Sequence, residues 1–134
     1  MRAALHRLNS LRLRRGLIAI ISDFFDPAGI DALVESMHGI PHKLLLVQLC
    51  RESDAKPQLD GELSVEDCET GQDLRVTVTP KTIEAYQQAY ADFQDKLLEF
   101  AGGRRAGYIT LNADGDVLEQ FMSMFAGGVI TTRG

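Results

Sequence analysis

The residues with the clearest chemical potential are two carboxylates, Asp23 and Asp26, which follow a short run of aliphatic residues. That run, residues 17–21, is typical of a parallel strand, and α/β folds place ligand sites at the carboxyl ends of such strands. The position makes both carboxylates candidates for a ligand site, with Asp26 as a binding residue. Because Pro27 follows it, however, Asp26 is better explained as a helix cap, and Asp23 is equally explained as a loop cap.

Other side chains that could support catalysis lack the spacing that catalysis requires. They are His6, His38 and His42, Ser22, Ser36 and Ser123, and Cys50 and Cys68. The histidines are scattered and are expected at the surface or at helix ends, and the serines lie outside any G-x-S-x-G elbow. The cysteines lack C-x-x-C spacing and are expected as packed thiols, with a disulfide as the alternative. We therefore predict no catalytic residue and no enzyme.

Composition and charge limit the classes of partner. The chain has 134 residues, 25% charged, with a net charge of -5, which disfavours nucleic acid. No apolar run approaches the ~20 residues that span a bilayer, and no signal peptide is evident, so we expect a soluble, cytoplasmic domain that does not itself insert into membranes. The first 15 residues are basic, and Arg12, Arg14 and Arg15 are candidate contacts for an acidic partner. A solvated helix face is the alternative.

The hydrophobic pattern predicts alternating strands and helices. The predicted strands are residues 17–21, 44–50 and 107–111, and a hairpin is predicted over 61–79. The predicted helices are a basic segment over 1–15 with its helix over 3–13, a helix starting at Asp26 and Pro27, a helix from Thr79 and Pro80 to Gly102 and Gly103, and a helix over 117–125. A tail follows over 127–134. Tyr86, Tyr90 and Phe93 have helical spacing and are expected in the core. This order predicts an α/β three-layer sandwich around a mainly parallel sheet, with strand 17–21 covered on both faces and an inserted hairpin.

Four segments together resemble one bacterial family. They are RRGLIAIISDFFDP at 14–27, LLLVQLC at 44–50, GELSVEDCETGQDLRVTVTP at 61–80 and YQQAYADFQDKLLEFA at 86–101. The resemblance is to the domain of unknown function fifty-eight, whose members carry a von Willebrand factor A-like domain and are commonly encoded beside MoxR-type AAA+ ATPases. It extends over about residues 14–125, and the hairpin is its most specific part. It implies that residues 1–134 form a single partial von Willebrand factor A-like, Rossmann-like domain.

The resemblance also implies a cation site of which this chain holds only a part. Such domains bind a divalent cation through an Asp-x-Ser-x-Ser motif, a Thr and an Asp after the fourth strand. Asp23 matches the last of these by position, and Ser22 adjoins it. The expected cofactor is therefore none, or weakly bound Mg²⁺.

The resulting functional hypothesis is a non-catalytic scaffolding module that binds another protein, with a MoxR-type ATPase as the implied partner. Full-length relatives are, by the same resemblance, candidates for membrane anchoring. A receiver-like signalling domain with Asp23 as phosphoacceptor is one alternative, although no Lys follows residues 107–111. Another is a structural domain that self-associates, as a homodimer formed through the edge of strand 17–21.

Overall fold

The computed structural model describes residues 1–127, so all but the first residue of the tail assigned to 127–134 lies outside the described part. The elements are α1 (Arg2–Ser10), β1 (Leu17–Ser22), α2 (Ile30–His38), β2 (Lys43–Cys50), α3 (Glu52–Ala55), β3 (Gly61–Glu66), β4 (Asp73–Val78), α4 (Pro80–Arg104), β5 (Gly107–Asn112) and α5 (Val117–Ala126). They belong to two compact units. The sheet unit is Met1–Arg51 with the chain from Phe93 onward, and the hairpin unit is Glu52–Asp92.

The sheet unit is built on three parallel strands in the order β1-β2-β5. In β1 and β2, Leu17 pairs with Lys43 and Ser22 with Gln48, and Leu45 of β2 pairs with Gly107 of β5. Each parallel connection passes through helices, as such connections require. The predicted α/β class with a mainly parallel sheet is confirmed.

Helices cover the two faces of this sheet unequally. One face packs against α1, α2 and the second half of α4 and forms the larger cluster, which comprises Leu5, Ile20, Phe24, Leu33, Met37, Ile40, Leu44, Leu46, Leu97, Phe100 and Ala101. The other face contributes Leu45, Val47, Ile109 and Leu111, against which only Val117, Phe121 and Met124 of α5 pack among the helices described. The arrangement gives the expected three layers around β2.

The prediction that strand 17–21 is covered on both faces is wrong. Its Ile20 is buried in the larger cluster, whereas Leu17 and Ile21 are 55% and 61% exposed. Because β1 is the terminal strand and α5 packs over β2 and β5, the second face of β1 has no described covering element. The apolar run of β1 resembles that of β2, but β1 lies at the end of the sheet whereas β2 lies at its centre.

Two helix ends differ from the prediction. The basic segment is helical only to Ser10, since Arg12 adopts a left-handed backbone with φ 46°, which a continuing helix excludes. The longest helix continues through both glycines to Arg104. It ends where Arg105 takes φ 50° and the N–H of Ala106 donates to the carbonyl of Ala101, at 2.8 Å, as in a Schellman motif.

The hairpin unit contains α3, the antiparallel pair β3–β4 and the first half of α4. Leu63 pairs with Val76, and Val65 with Leu74, so the predicted hairpin with one apolar face is confirmed. Thr79 begins α4 as expected, accepting from the N–H of Thr82 at 3.2 Å.

The expected aromatic core stripe of α4 is only partly buried. In the hairpin unit, Tyr86 is 42% exposed and stacks on Tyr90, with ring centroids 6.4 Å apart. Phe93 packs against the larger cluster of the sheet unit. Helical spacing therefore identified the stripe but not how much of it is enclosed. Among residues 1–127, no helix combines the length and apolarity needed to cross a bilayer.

Candidate functional site

The segment that follows β1, residues 22–28, is the candidate site and is called here the β1 loop. Its first part is organised by two side chains that bind backbone amides. The N–H of Phe24 donates to Oγ of Ser22 at 3.0 Å, and the N–H of Phe25 donates to Oδ1 of Asp23 at 3.1 Å. Such short side-chain-to-backbone bonds shape tight turns. Asp23 therefore caps the loop, which was one of the two roles considered for it, and it remains exposed.

Phe24 anchors the β1 loop to the core. Its side chain is fully buried in the larger cluster, and its backbone lies in the left-handed region with φ 63°. A bulky residue seldom adopts this conformation, because its Cβ approaches the following carbonyl oxygen. Burial of the ring therefore holds a strained turn, and this turn sends the neighbouring Asp23 and Phe25 outward.

Phe25 is the aromatic residue that the β1 loop presents to solvent. It is 51% exposed and stacks on Phe93 of α4, with ring centroids 5.0 Å apart and an interplanar angle of 21°. Stacking restrains the ring without enclosing it. The exposed Asp23 and the restrained aromatic ring of Phe25 therefore lie two residues apart in the loop at the carboxyl edge of the sheet.

Asp26 does not cap a helix, so that prediction is wrong. Helix α2 begins four residues later, with Gly29 as its N-cap and no side-chain cap bond. The carboxylate instead accepts from the N–H of Ala28 at 3.0 Å and from Nε of Arg2 at 3.1 Å, and only 4% of its side chain is exposed. The Pro27 turn intervenes between the aspartate and the helix, and Arg2 ties α1 to the β1 loop.

These bonds predict a pH-dependent contribution from Asp26. The Ala28 N–H bond, followed by the Arg2 guanidinium, holds the pKa of Asp26 below its ordinary value of 3.8. A depressed carboxyl pKa stabilises the fold at neutral pH, and that contribution is lost as the pH falls through the folded-state pKa. We expect Asp26→Asn to melt at a lower temperature than wild type at pH 7, and the difference to shrink below about pH 4.

Thermal unfolding followed by circular dichroism across this pH range checks the expectation. Asp31→Asn is a matched control, because its carboxylate pairs with Lys96 at 2.8 Å but its side chain is 82% exposed. An Asp26→Asn variant that melts like the control at every pH would contradict the structural role of the Arg2 bond.

The other two strands end at the same edge of the sheet. Arg51, which follows β2, pairs with Asp114 after β5, with Nε and Oδ1 separated by 3.6 Å. Within β2, the fully buried Gln48 accepts hydrogen bonds through its Oε1 from the hydroxyl of Tyr108 and, at 3.4 Å, from Nε2 of Gln94. Nε2 of Gln48 has no hydrogen-bond partner among the residues described. An unsatisfied buried donor of this kind lowers the stability of the fold by roughly 1–3 kcal/mol.

A family model described as "Protein of unknown function DUF58" matches residues 1–96 of the 134 in the chain. The chain belongs to this family. The match includes α1, the β1 loop and the whole hairpin unit, and so it agrees with the family that the sequence resembled. Comparisons with curated proteins and with solved structures found no match.

In this DUF58 chain the residues near Asp23 do not form a complete set of cation ligands. Oγ of Ser22 and Oδ1 of Asp23 are already bonded to backbone N–H groups, and Asp26 is engaged by Arg2. Across residues 1–127, no group of at least three His, Cys, Asp or Glu side chains could hold a metal ion. Divalent cations such as Mg²⁺ prefer several oxygen ligands, so the donor set fits such an ion poorly.

The remaining candidates lie elsewhere. Arg12, Arg14 and Arg15 are exposed on the connection that precedes β1, at the opposite end of the strand from Asp23. His42 is buried, contrary to the surface or helix-end position expected for it, and its Nδ1 accepts from the N–H of Gly16 at 3.2 Å.

Two residues at this end of the sheet were not singled out from the sequence, although each had a signal. Phe25 is an aromatic residue in a predicted loop, and Gln48 interrupts the otherwise apolar run of residues 44–50.

Proposed function

We propose that this DUF58 chain is a non-catalytic, von Willebrand factor A-like module that binds another protein, a MoxR-type AAA+ ATPase. The observation that carries the proposal is the β1 loop, which presents Phe25 beside the carboxylate of Asp23 at the carboxyl edge of a parallel sheet. Ligand sites of open α/β sheets lie at this edge. Membership of the family supports the choice of partner through the resemblance described above.

The chemistry of the loop suits protein recognition. Interface hot spots are enriched in aromatic side chains that enter a desolvated pocket, and nearby charges set orientation and specificity. Phe25 is held by Phe93, so little conformational freedom is lost when a partner covers it. The partner is expected to offer an apolar pocket with a Lys or Arg at its rim that faces Asp23.

A binding measurement with the purified ATPase from the same organism tests the proposal. We expect Phe25→Ala to weaken binding about thirtyfold, the size of a typical hot-spot loss, and Asp23→Ala to weaken it less. Phe125→Ala is the matched control, because Phe125 of α5 is 44% exposed, similar to the 51% of Phe25. Surface plasmon resonance gives the dissociation constants, and circular dichroism confirms that each variant is folded.

Several outcomes would contradict the proposal. An ATPase that does not bind wild type, or that binds Phe25→Ala and Phe125→Ala equally well, would remove the β1 loop as the contact. Labelling of Asp23 by acetyl phosphate and Mg²⁺ would favour the receiver-like alternative. Calorimetric titration is expected to find Mg²⁺ binding weak or undetectable, since the donor set is incomplete.

A further inference from the structure

Gln48 is a polar side chain at a position of β2 where the hydrophobic pattern predicts an apolar one. The side chains of Leu44 and Leu46, two and four residues earlier, belong to the larger cluster, and Gln48 points to the same side of the strand. It is fully buried. An apolar side chain of similar size would need no hydrogen-bond partner here, so burial alone does not account for a carboxamide at this position.

The carboxamide of Gln48 joins three elements of the sheet unit. Its Oε1 accepts from the hydroxyl of Tyr108 in β5 and, at 3.4 Å, from Nε2 of Gln94 in α4. Apolar contacts are non-directional and allow a helix to turn about its axis with little change in burial. A hydrogen bond is directional, so a bond to a residue of the central strand favours one rotation. The bond to Gln48 therefore fixes the turn of α4 that carries Gln94.

The same turn of α4 carries the aromatic partner of the β1 loop. Phe93 precedes Gln94, and both belong to the sheet unit. Phe25 stacks on Phe93, with ring centroids 5.0 Å apart and an interplanar angle of 21°. Neighbouring helical residues point about 100° apart, so a rotation that displaces Gln94 also displaces the Phe93 ring. A continuous series of contacts thus joins the carboxamide of Gln48 to the exposed ring of Phe25.

We propose that Gln48 is a positioning residue for the aromatic contact of the β1 loop. Through Gln94 it holds the turn of α4 that carries Phe93, and the Phe93 ring holds Phe25 in the orientation that a protein partner contacts. A ring that is already ordered loses less freedom on binding. The consequence for binding rests on the proposed function, whereas the order of the Phe25 ring is a property of the chain by itself.

Two substitutions of similar size at Gln94 separate the hydrogen bond from packing. Gln94→Met removes the donor to Gln48, whereas the carboxylate introduced by Gln94→Glu can accept from the Gln48 carboxamide once its nitrogen and oxygen exchange places. Nuclear Overhauser effects between the rings of Phe25 and Phe93 in the free chain report on the stack. We expect them to weaken in Gln94→Met and to persist in Gln94→Glu.

Gln88→Met is the matched control, because it removes an exposed hydrogen bond of the same helix, from Nε2 of Gln88 to Asp92 at 2.8 Å. We expect it to leave the ring contacts unchanged. In surface plasmon resonance, Gln94→Met is expected to bind the ATPase about three- to tenfold more weakly, since the ring must then be ordered during binding. Gln94→Glu and Gln88→Met are expected to stay within about twofold of wild type.

An apolar replacement of the whole network separates positioning from stability. Combining Gln48→Met, Gln94→Met and Tyr108→Phe removes the three polar partners together, so none of them is left unpaired. We expect this chain to melt at or above the temperature of wild type, because replacing all partners by apolar groups of similar shape is close to neutral or stabilising. Its ring contacts and its binding to the ATPase are nevertheless expected to weaken as in Gln94→Met. A purely structural role would not separate the two properties.

The ring contacts decide the inference whether or not the ATPase binds. Contacts as strong in Gln94→Met and in the triple variant as in wild type would overturn it. Equal loss in Gln94→Glu and Gln94→Met would also overturn it, because packing and not the hydrogen bond would then hold the turn. A wild type that binds no ATPase, with ring contacts that respond as expected, would overturn the proposed function and support the positioning role of Gln48.

Discussion

Replacing Phe24 by Ala is expected to lower the free energy of unfolding by about 3–5 kcal/mol, the range for removing a fully buried aromatic ring. The ring is 0% exposed and packs in the larger cluster of the sheet unit. Its loss leaves a cavity beneath the β1 loop and also removes the packing that holds φ at 63°. Urea denaturation at neutral pH measures the change.

Two comparison variants separate packing from backbone strain at this position. Phe24→Gly loses the same ring, but glycine adopts positive φ without the Cβ penalty, so we expect it to be more stable than Phe24→Ala by about 1 kcal/mol. Phe25→Ala, at the half-exposed neighbour, is expected to cost about 1 kcal/mol or less. A loss for Phe24→Ala no larger than that for Phe25→Ala would show that the ring does not anchor the loop.

The strands illustrate what hydrophobic pattern determines and what it leaves open. Short, mainly apolar runs correctly located β1, β2 and β5, because a strand within a helix-covered parallel sheet is apolar on most successive residues. The order of those strands depends on contacts between distant residues, which a local pattern does not contain. The run of β1 therefore looked like that of a central strand, although Leu17 and Ile21 are exposed.

The sequence pattern selected the segment after β1 as the candidate site, but it did not predict the contacts within that segment. The structure places Asp23 directly after the carboxyl end of β1, as the aliphatic pattern predicted, and a ligand site there stays a prediction. The partner of Asp26 is Arg2, which is 24 residues away, and local preferences alone favoured a helix cap instead. The left-handed turn at Phe24 was also unexpected, because tertiary burial, and not local preference, stabilises it.

The end of α4 was misplaced for a related reason. The paired glycines are the usual left-handed terminators, yet Arg105 takes that conformation and the helix extends to Arg104. The extra turn allows the Arg104 guanidinium to reach the segment that joins α2 to β2. It donates to the carbonyls of Met37, His38, Ile40 and His42 at 3.0, 2.8, 2.5 and 3.2 Å. Tertiary hydrogen bonding therefore outweighs the local preference for a glycine end.

This cluster of bonds leads to the second large expected effect. Arg104→Ala is expected to lower the free energy of unfolding by about 2–4 kcal/mol, because four carbonyls, several of them partly buried, lose a charged donor. Arg104→Lys keeps the charge but not the planar fork, and we expect it to recover less than half of the loss.

The neighbouring arginine provides the control for that experiment. Arg105 is exposed, and Arg105→Ala retains an L-residue at the same left-handed position, so its effect is expected to stay within about 0.5 kcal/mol of zero. Urea denaturation of the three variants at one pH provides the comparison. Equal losses for Arg104→Ala and Arg105→Ala would mean that helix-end charge, and not the bonds to the α2–β2 connection, stabilises this end of the sheet unit.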